Sequence, residues 1–427
     1  WLKHPVHTDE ASAPTPIRSK MAVVKGSAST RRSRKGAALV AVAATGLCAT
    51  RGFVGVPSQG VSAPLRQAAA VAQAAPAQDG LRIPGLSAAV GGASAALAAA
   101  TAATKRRAQR ASKLQRRAVS YKSSFLFPGQ GAQTVGMCKD IVEEVPAAKD
   151  LFTKASEILG YDLLDLCING PKEKLDTTAC SQPAIFVASM AAVEKLRQDS
   201  GDAALDAATV SMGLSLGEYS ALCFAGAISF EDGVRITKAR GEAMQAAADA
   251  VESSMVSVIG LDAEKTGELC EKASADSGKK VAIANFLCKG NYTVSGDKEA
   301  CAKLVEIAKP EFKARMAVPL AVAGAFHTDF MAPAVDKLKQ VLAEVEVKAP
   351  RIPVISNVDG KPHGDAESIR ATLAKQVTSP VQWETQMQDM TAGDLETCYE
   401  LGPGKVCAGI LKRIDKAAFG KITNIEA

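Results

Sequence analysis

The chain predicts an α/β fold with a largely parallel central sheet and a smaller ferredoxin-like unit inserted in it. Three observations point to this. From residue 123 onward short apolar runs alternate with amphipathic helical stretches, the pattern of helices covering a parallel sheet. The turn Gly213-Leu214-Ser215-Leu216-Gly217 joins an apolar run to the start of a helix, the strand–elbow–helix arrangement that exposes a nucleophile. Residues 250–320 follow their own order of strand–helix–strand–strand–helix–strand, which is that of a ferredoxin-like unit.

The elements follow in order. Ser124-Phe125-Leu126-Phe127 reads as a short apolar strand running into Pro128-Gly129-Gln130-Gly131-Ala132-Gln133. Apolar runs near 206–212, 255–260, 281–286, 317–322 and 352–355 read as further strands. Helical spacing of apolar residues predicts amphipathic helices near 148–159, 181–197, 231–248, 264–276, 298–308 and 332–345. A last helix follows the Gly402-Pro403-Gly404 turn. The organisation expected is a large subdomain in two parts, 123–249 and 321–427, around a small one, 250–320.

Charge separates a leader from the folded part. Residues 1–122 hold 19 Lys+Arg and 3 Asp+Glu. With 51 and 45 in the whole chain, residues 123–427 keep 32 against 42, a net charge of −10. The basic balance is therefore a leader property and gives no reason to expect nucleic acid binding. From Met21 the leader has a basic stretch at Arg31, Arg32, Arg34 and Lys35, then an apolar run Gly36–Cys48, the layout of a signal peptide. Phe53 opens an Ala-rich, acid-poor stretch like a transit peptide, and Ile83–Thr104 is a second weakly apolar run closed by Lys105-Arg106-Arg107. This order resembles the bipartite presequences of secondary plastids, notably those of dinoflagellates, and implies a plastid stroma reached through the secretory route. A disordered Ala-rich tail and a membrane anchor are the alternatives, the latter poorly served by a run so rich in Ala and Gly. Ten cysteines without a Cys-x-x-Cys pair argue against a zinc site or a disulfide framework and fit a reducing compartment.

The chemistry centres on Ser215. The glycines at 213 and 217 allow the sharp turn, and the following helix aims its N-terminal N–H groups at the same place, which suits an oxyanion. A serine nucleophile needs a base. Of four histidines, His4 and His7 lie in the leader, and His363 lies in the polar stretch 357–365, which reads as an exposed loop. His327, where an apolar run meets a polar break, remains as the general base. Arg240 lies on the helical stretch 230–248, where a solvated helix charge is the ordinary reading, as it is for Arg235 and Lys238.

Taken together, Phe127-Pro128-Gly129-Gln130-Gly131, Ser181-Gln182-Pro183-Ala184, Gly213–Ser220, Arg240-Gly241, Phe326-His327, Pro380-Val381-Gln382-Trp383 and Glu400–Lys405 resemble the malonyl-CoA:acyl carrier protein transacylases of type II fatty acid synthesis. The resemblance covers about 123–425 and implies an α/β-hydrolase-like large subdomain. It implies Ser215 as the residue that takes malonyl as an ester and His327 as its base, with the backbone carbonyl of Gln376 orienting the imidazole. It implies the N–H groups of Gln130 and Leu216 as oxyanion hole, and Arg240 as the grip on the malonyl carboxylate, which a guanidinium holds through two parallel bonds. It implies Asn285 as a further binding residue, and a Phe326 before the histidine that would crowd a 2-methyl branch. The partners implied are malonyl-CoA and acyl carrier protein, bound by a monomer without metal or organic cofactor. The carrier is acidic, as is the folded part, so docking calls for a local basic patch. Lys405, Lys412 and Arg413 are the candidates.

The chain departs from the pattern in three places. Leu214 stands where the family usually has His, only Asn285 is kept of an Asn-x-Asn-x-Pro-x-Gln run, and Ala132 replaces a common Ser. Two other enzyme readings share the elbow: a thioesterase of the α/β-hydrolase type using His363 with Asp359 or Asp365, and an acyltransferase serving polyketide synthesis. A carrier-binding module without catalysis is the non-enzyme reading, and the intact Ser215, Arg240 and His327 argue against it.

Overall fold

A computed structural model describes residues 119–427. The signal-like, transit-like and second apolar segments expected in the leader lie outside the described residues. The strands are β1 (Ser123–Phe127), β2 (Val210–Gly213), β3 (Ser253–Ile259), β4 (Val281–Cys288), β5 (Asn291–Asp297), β6 (Met316–Pro319), β7 (Val354–Ile355), β8 (Thr397–Leu401) and β9 (Ile422–Ile425). The longer helices are α1 (Pro146–Leu159), α2 (Thr178–Ser200), α3 (Gly217–Phe224), α4 (Phe230–Asp249), α5 (Ala263–Ser277), α6 (Lys298–Ala308), α7 (Ala332–Glu344), α8 (Ala366–Gln376), α9 (Trp383–Thr391) and α10 (Val406–Ile414).

The central sheet has the order β7-β2-β1-β8-β9, and every pairing in it is parallel. β1 is buried on both faces, as expected of a continuous apolar run between helical layers. Phe125 and Phe127 both pack on Phe224 of α3, on the same face of the sheet. The second sheet is antiparallel, order β4-β5-β3-β6, with α5 and α6 as the two connecting helices. That is the ferredoxin-like topology. Val256, Val258, Leu269, Val294 and Leu304 form its own core. Main-chain bonds tie β4 to the large sheet's side of the molecule: Phe286 N–H donates to Val381 O at 2.9 Å and Val381 N–H to Ala284 O at 2.8 Å.

Several local expectations change. The strand expected at 206–212 begins only at Val210, because Asp202–Asp206 forms a helical turn and Thr209 ties back to Ser123. The strand expected at 317–322 ends at Pro319, with one further main-chain bond to β3 from Leu320 N–H to Met255 O at 2.9 Å. The chain beyond Leu320 then leaves the sheet, and Leu320, Val322 and Phe326 line the site. The helix near 181–197 is not amphipathic: α2 is buried on all sides from Cys180 to Val193, sandwiched between α1, α4 and the sheet. β8 and β9 were not anticipated, since Glu400 sits inside the β8 run and hides it. The Glu400 carboxylate accepts from the N–H groups of Cys407 and Ala408 and from Asn424 Nδ2, which caps α10 and explains a buried acid at that place.

Candidate active site

Ser215 stands between β2 and α3 with φ +52°, a left-handed conformation that costs energy in a residue with a side chain. The surroundings hold it there. A Cβ on Gly213 would lie 1.8 Å from Gly217 C, and one on Gly217 would lie 2.2 Å from Phe127 O, so both positions require glycine. Asn357 braces the turn from the side, accepting from Ser215 N–H at 2.6 Å and donating to Gly213 O at 2.7 Å. Gly129 is pressed against Leu214 O, where a Cβ would lie at 2.2 Å.

His327 also has a left-handed backbone, φ +61°. Its Nε2 is 2.8 Å from Ser215 Oγ and its Nδ1 is 3.0 Å from Gln376 O. A main-chain carbonyl accepts only, so Nδ1 carries the hydrogen and Nε2 faces the serine as acceptor. Burial, with the Arg240 charge second, pushes the imidazole down to about 4. The ring is therefore neutral near pH 7 and able to take a proton.

Arg240 is 1% exposed, on the inner face of α4. Nη1 donates to Gln182 Oε1 at 2.7 Å, and Nη2 donates to Gln376 Oε1 at 2.9 Å and to Ser215 Oγ at 3.1 Å. The guanidinium lies 5.2 Å from the Tyr219 ring centroid. Burial lowers its pKa from the usual guanidinium value. Its hydrogen-bond partners are neutral amides and a hydroxyl, and among the described residues no carboxylate pairs with it.

These groups meet at a cleft of about 210 Å³ between the two sheets. Gln130, Leu214, Asn285 and Phe326 line it beside Ser215, Arg240 and His327, and Leu287, Leu320, Val406 and Ile410 make the wall apolar. Neither Gln130 N–H nor Leu216 N–H has an acceptor among the described residues, so both donors are free for an incoming oxygen. Asn285 is held by its Nδ2 on Thr293 Oγ1. Leu214, one of the departures from the expected pattern, puts an alkyl group on the cleft wall.

The docking candidates separate. Arg413 lies on the face of α10 that carries Val406 and Ile410, and its charge is felt at Cys288 beside the cleft. Lys412 lies over the Phe419 ring instead, and Lys405 pairs with Glu426 at 3.5 Å.

His363 corrects an expectation. Its side chain is 1% exposed, and Nε2 lies 2.7 Å from Glu218 Oε1. The polar composition of 357–365 concealed this, because a tight turn folds the ring inward through His363 N–H to Val354 O. His363 is not on Ser215. Asp359 and Asp365, its proposed partners in a hydrolase triad, bond instead to Lys361 N–H and Ser368 N–H.

Sequence reading missed Gln182, Glu218, Asn357 and the side chain of Gln376. Gln182 and Glu218 lie inside recognised motifs, and a polar residue amid apolar neighbours was the available signal. Asn357 lies in a turn and gives no such signal.

A serine poised on a neutral imidazole, with free N–H donors and a buried cation beside it, is the equipment of an enzyme that passes acyl groups through a serine ester. The acyl transferase domain model matches residues 124–416, and the chain belongs to that family. It is 42% identical over 291 residues to the malonyl CoA-acyl carrier protein transacylase of Escherichia coli O157:H7, covering 68% of this chain and 92% of that one. With the Bacillus subtilis (strain 168) protein of the same name it shares 40% over 295 residues, covering 69% and 91%. Among solved structures, the transacylase of Coxiella burnetii superposes with a TM-score of 0.68 at 35% identity, covering 72% and 94%. A malonyl-transacylase in complex with a type II polyketide synthase acyl-carrier protein gives 0.66 at 36%, covering 72% and 96%.

Proposed function

We infer that this protein transfers malonyl from malonyl-CoA to the phosphopantetheine thiol of acyl carrier protein, supplying fatty acid elongation. One observation supports the acyl group above all: Arg240 is a buried cation beside Ser215 with only neutral partners. An acyl chain ending in a carboxylate supplies the missing countercharge through a paired, charge-assisted contact. Ser215 Oγ attacks the thioester carbonyl while His327 Nε2 takes its proton. The N–H groups of Gln130 and Leu216 receive the oxyanion. The C–S bond breaks, and the CoA sulfur leaves with the proton from His327. The carrier thiol then gives its proton to His327 and attacks the ester, and Ser215 recovers its hydrogen as its C–O bond breaks. Gln376 O holds the imidazole in the tautomer that both halves need.

The test is the mass of the intact protein after malonyl-CoA alone. One malonyl group should be gained, lost again on adding carrier protein, and absent in Ser215→Ala. No adduct on the wild-type chain would refute the reading.

The leader supports a plastid address, reached by a signal segment followed by a transit segment. A fluorescent protein fused behind residues 21–122 should enter plastids in a host with secondary plastids. Mitochondrial or cytosolic fluorescence would overturn that assignment.

A further inference from the structure

Glu218 is buried completely, one turn beyond the nucleophile on α3, and no step above uses it. Three donors converge on its carboxylate. Asn357 N–H and Gln376 Nε2 reach Oε2 at 2.9 and 2.7 Å, and His363 Nε2 meets Oε1 at 2.7 Å. Two of these three neighbours also touch the reaction centre: Asn357 braces Ser215 N–H, and Gln376 touches Arg240 and Ser215.

The Gln376 amide is what gives this cluster a direction. Its nitrogen donates to Ser215 O at 3.0 Å and to Glu218, and its oxygen accepts from Arg240 Nη2. A carbonyl and a carboxylate can only accept, so they fix the NH₂ end toward themselves and turn the oxygen to the arginine. An amide turned the other way would point two N–H groups at a guanidinium that has no acceptor to offer. We propose that Glu218 is a positioning residue for acyl-group selection: by fixing the polarity of the Gln376 amide, it keeps Arg240 aimed over Ser215 until a substrate carboxylate arrives. This rests on the malonyl reading above and names what holds its specificity group in place.

Replacing Glu218 with Gln keeps the shape but removes the charge and puts an NH₂ group where an acceptor stood, so the Gln376 amide keeps only Ser215 O and Arg240 to set its orientation and its preference weakens. The readout is single-turnover ester formation on Ser215 from malonyl-CoA and, separately, from acetyl-CoA, which has no carboxylate for Arg240. Glu218→Gln should lower malonyl loading by about 10- to 100-fold, mainly through KM, and acetyl loading by less than about 3-fold. Gln376→Met keeps the main-chain carbonyl on His327 and removes only the amide, so it should give the same malonyl-selective loss even where the Glu218 variant folds poorly. Equal losses for the two acyl groups in the variant that folds, or no loss, would show a merely structural role and overturn the inference. If the wild-type chain forms no malonyl ester at all, the reaction itself is misassigned, and this role falls with it.

Discussion

His327 has its pKa pushed down to about 4, and burial is the larger cause. The base form must be present for loading, so the acid limb of kcat/KM for malonyl loading should lie near pH 4 to 5 rather than near the ordinary imidazole value. Stability follows the same proton. Between 6.5 and about 4 the unfolded chain binds a proton that the folded chain refuses, so this residue makes stability fall as pH drops through that window and leaves it flat above. An acid limb at pH 6.5 in stopped-flow loading would contradict this placement. Arg240 gives the second residue-scale prediction. Arg240→Ala should cost malonyl loading about 2–5 kcal/mol and affect acetyl loading much less, because only malonyl loses a charged partner. Equal losses in the two rates would make Arg240 a structural residue. The dyad and Arg240 were legible as residues, since the histidines were few and the motifs specific. Their supports were less so: Asn357 and Glu218 act by contacts across 139 positions of chain or more, which no local pattern records.

The elbow works as an element because backbone passes two glycines so closely that a Cβ at either would clash with it. Phe127 O, 2.2 Å from a Cβ on Gly217, is main chain and cannot swing aside. Gly217→Ala should therefore destabilise the fold by about 1–3 kcal/mol or more and abolish loading. Gly409, inside α10 with open space around it, should respond in the opposite sense, gaining up to about 1 kcal/mol on change to Ala. Urea unfolding of the two variants checks both signs. At this scale the sequence was readable wherever periodicity was strong. α4, α5, α6 and α7 lie within two residues of their expected limits. Burial defeats periodicity in α2, where the helix is found but is not amphipathic, and a functional polar residue interrupts the strand signal at Glu400 in β8.

At the scale of the molecule, the family match begins at residue 124, yet the first described contacts lie just before it. Asp394 accepts from Ser120 Oγ at 2.8 Å and from Tyr121 N–H at 2.7 Å, and Tyr121 is buried. A chain starting at residue 119 should fold and transfer malonyl at the full rate, whereas one starting at 123 should melt lower. Loss of activity in the longer version would assign the leader to the fold. The acidic balance of residues 123–427 leaves carrier docking to local charge. Arg413→Glu should raise KM for the carrier protein and spare loading from CoA. Lys412→Glu should do less, since that side chain lies over Phe419. If both half-reactions slow together, the patch lies elsewhere. The layered α/β plan and the inserted unit were readable from element order alone. The cleft between them was not, because it depends on how two sheets meet.

The junction at Val381 has a further consequence. Val381 is bonded on both sides to β4, its neighbour Gln382 donates to Asn357 O at 2.8 Å, and Asn357 holds the nucleophile's own N–H. Main chain and one side chain thus run from the small sheet to Ser215 like the frame of a calliper locked at one setting. A slot of fixed width would measure its guest by thickness, and we propose that Phe326, which lines the cleft, refuses a branched acyl group there without any closing motion. Freeing the frame should blur the measurement. Val381→Pro removes the N–H that reaches Ala284, and it should raise turnover of methylmalonyl-CoA relative to malonyl-CoA while hydrogen exchange quickens at Phe286. An unchanged ratio with faster exchange would mean that the gauge is set by Phe326 alone.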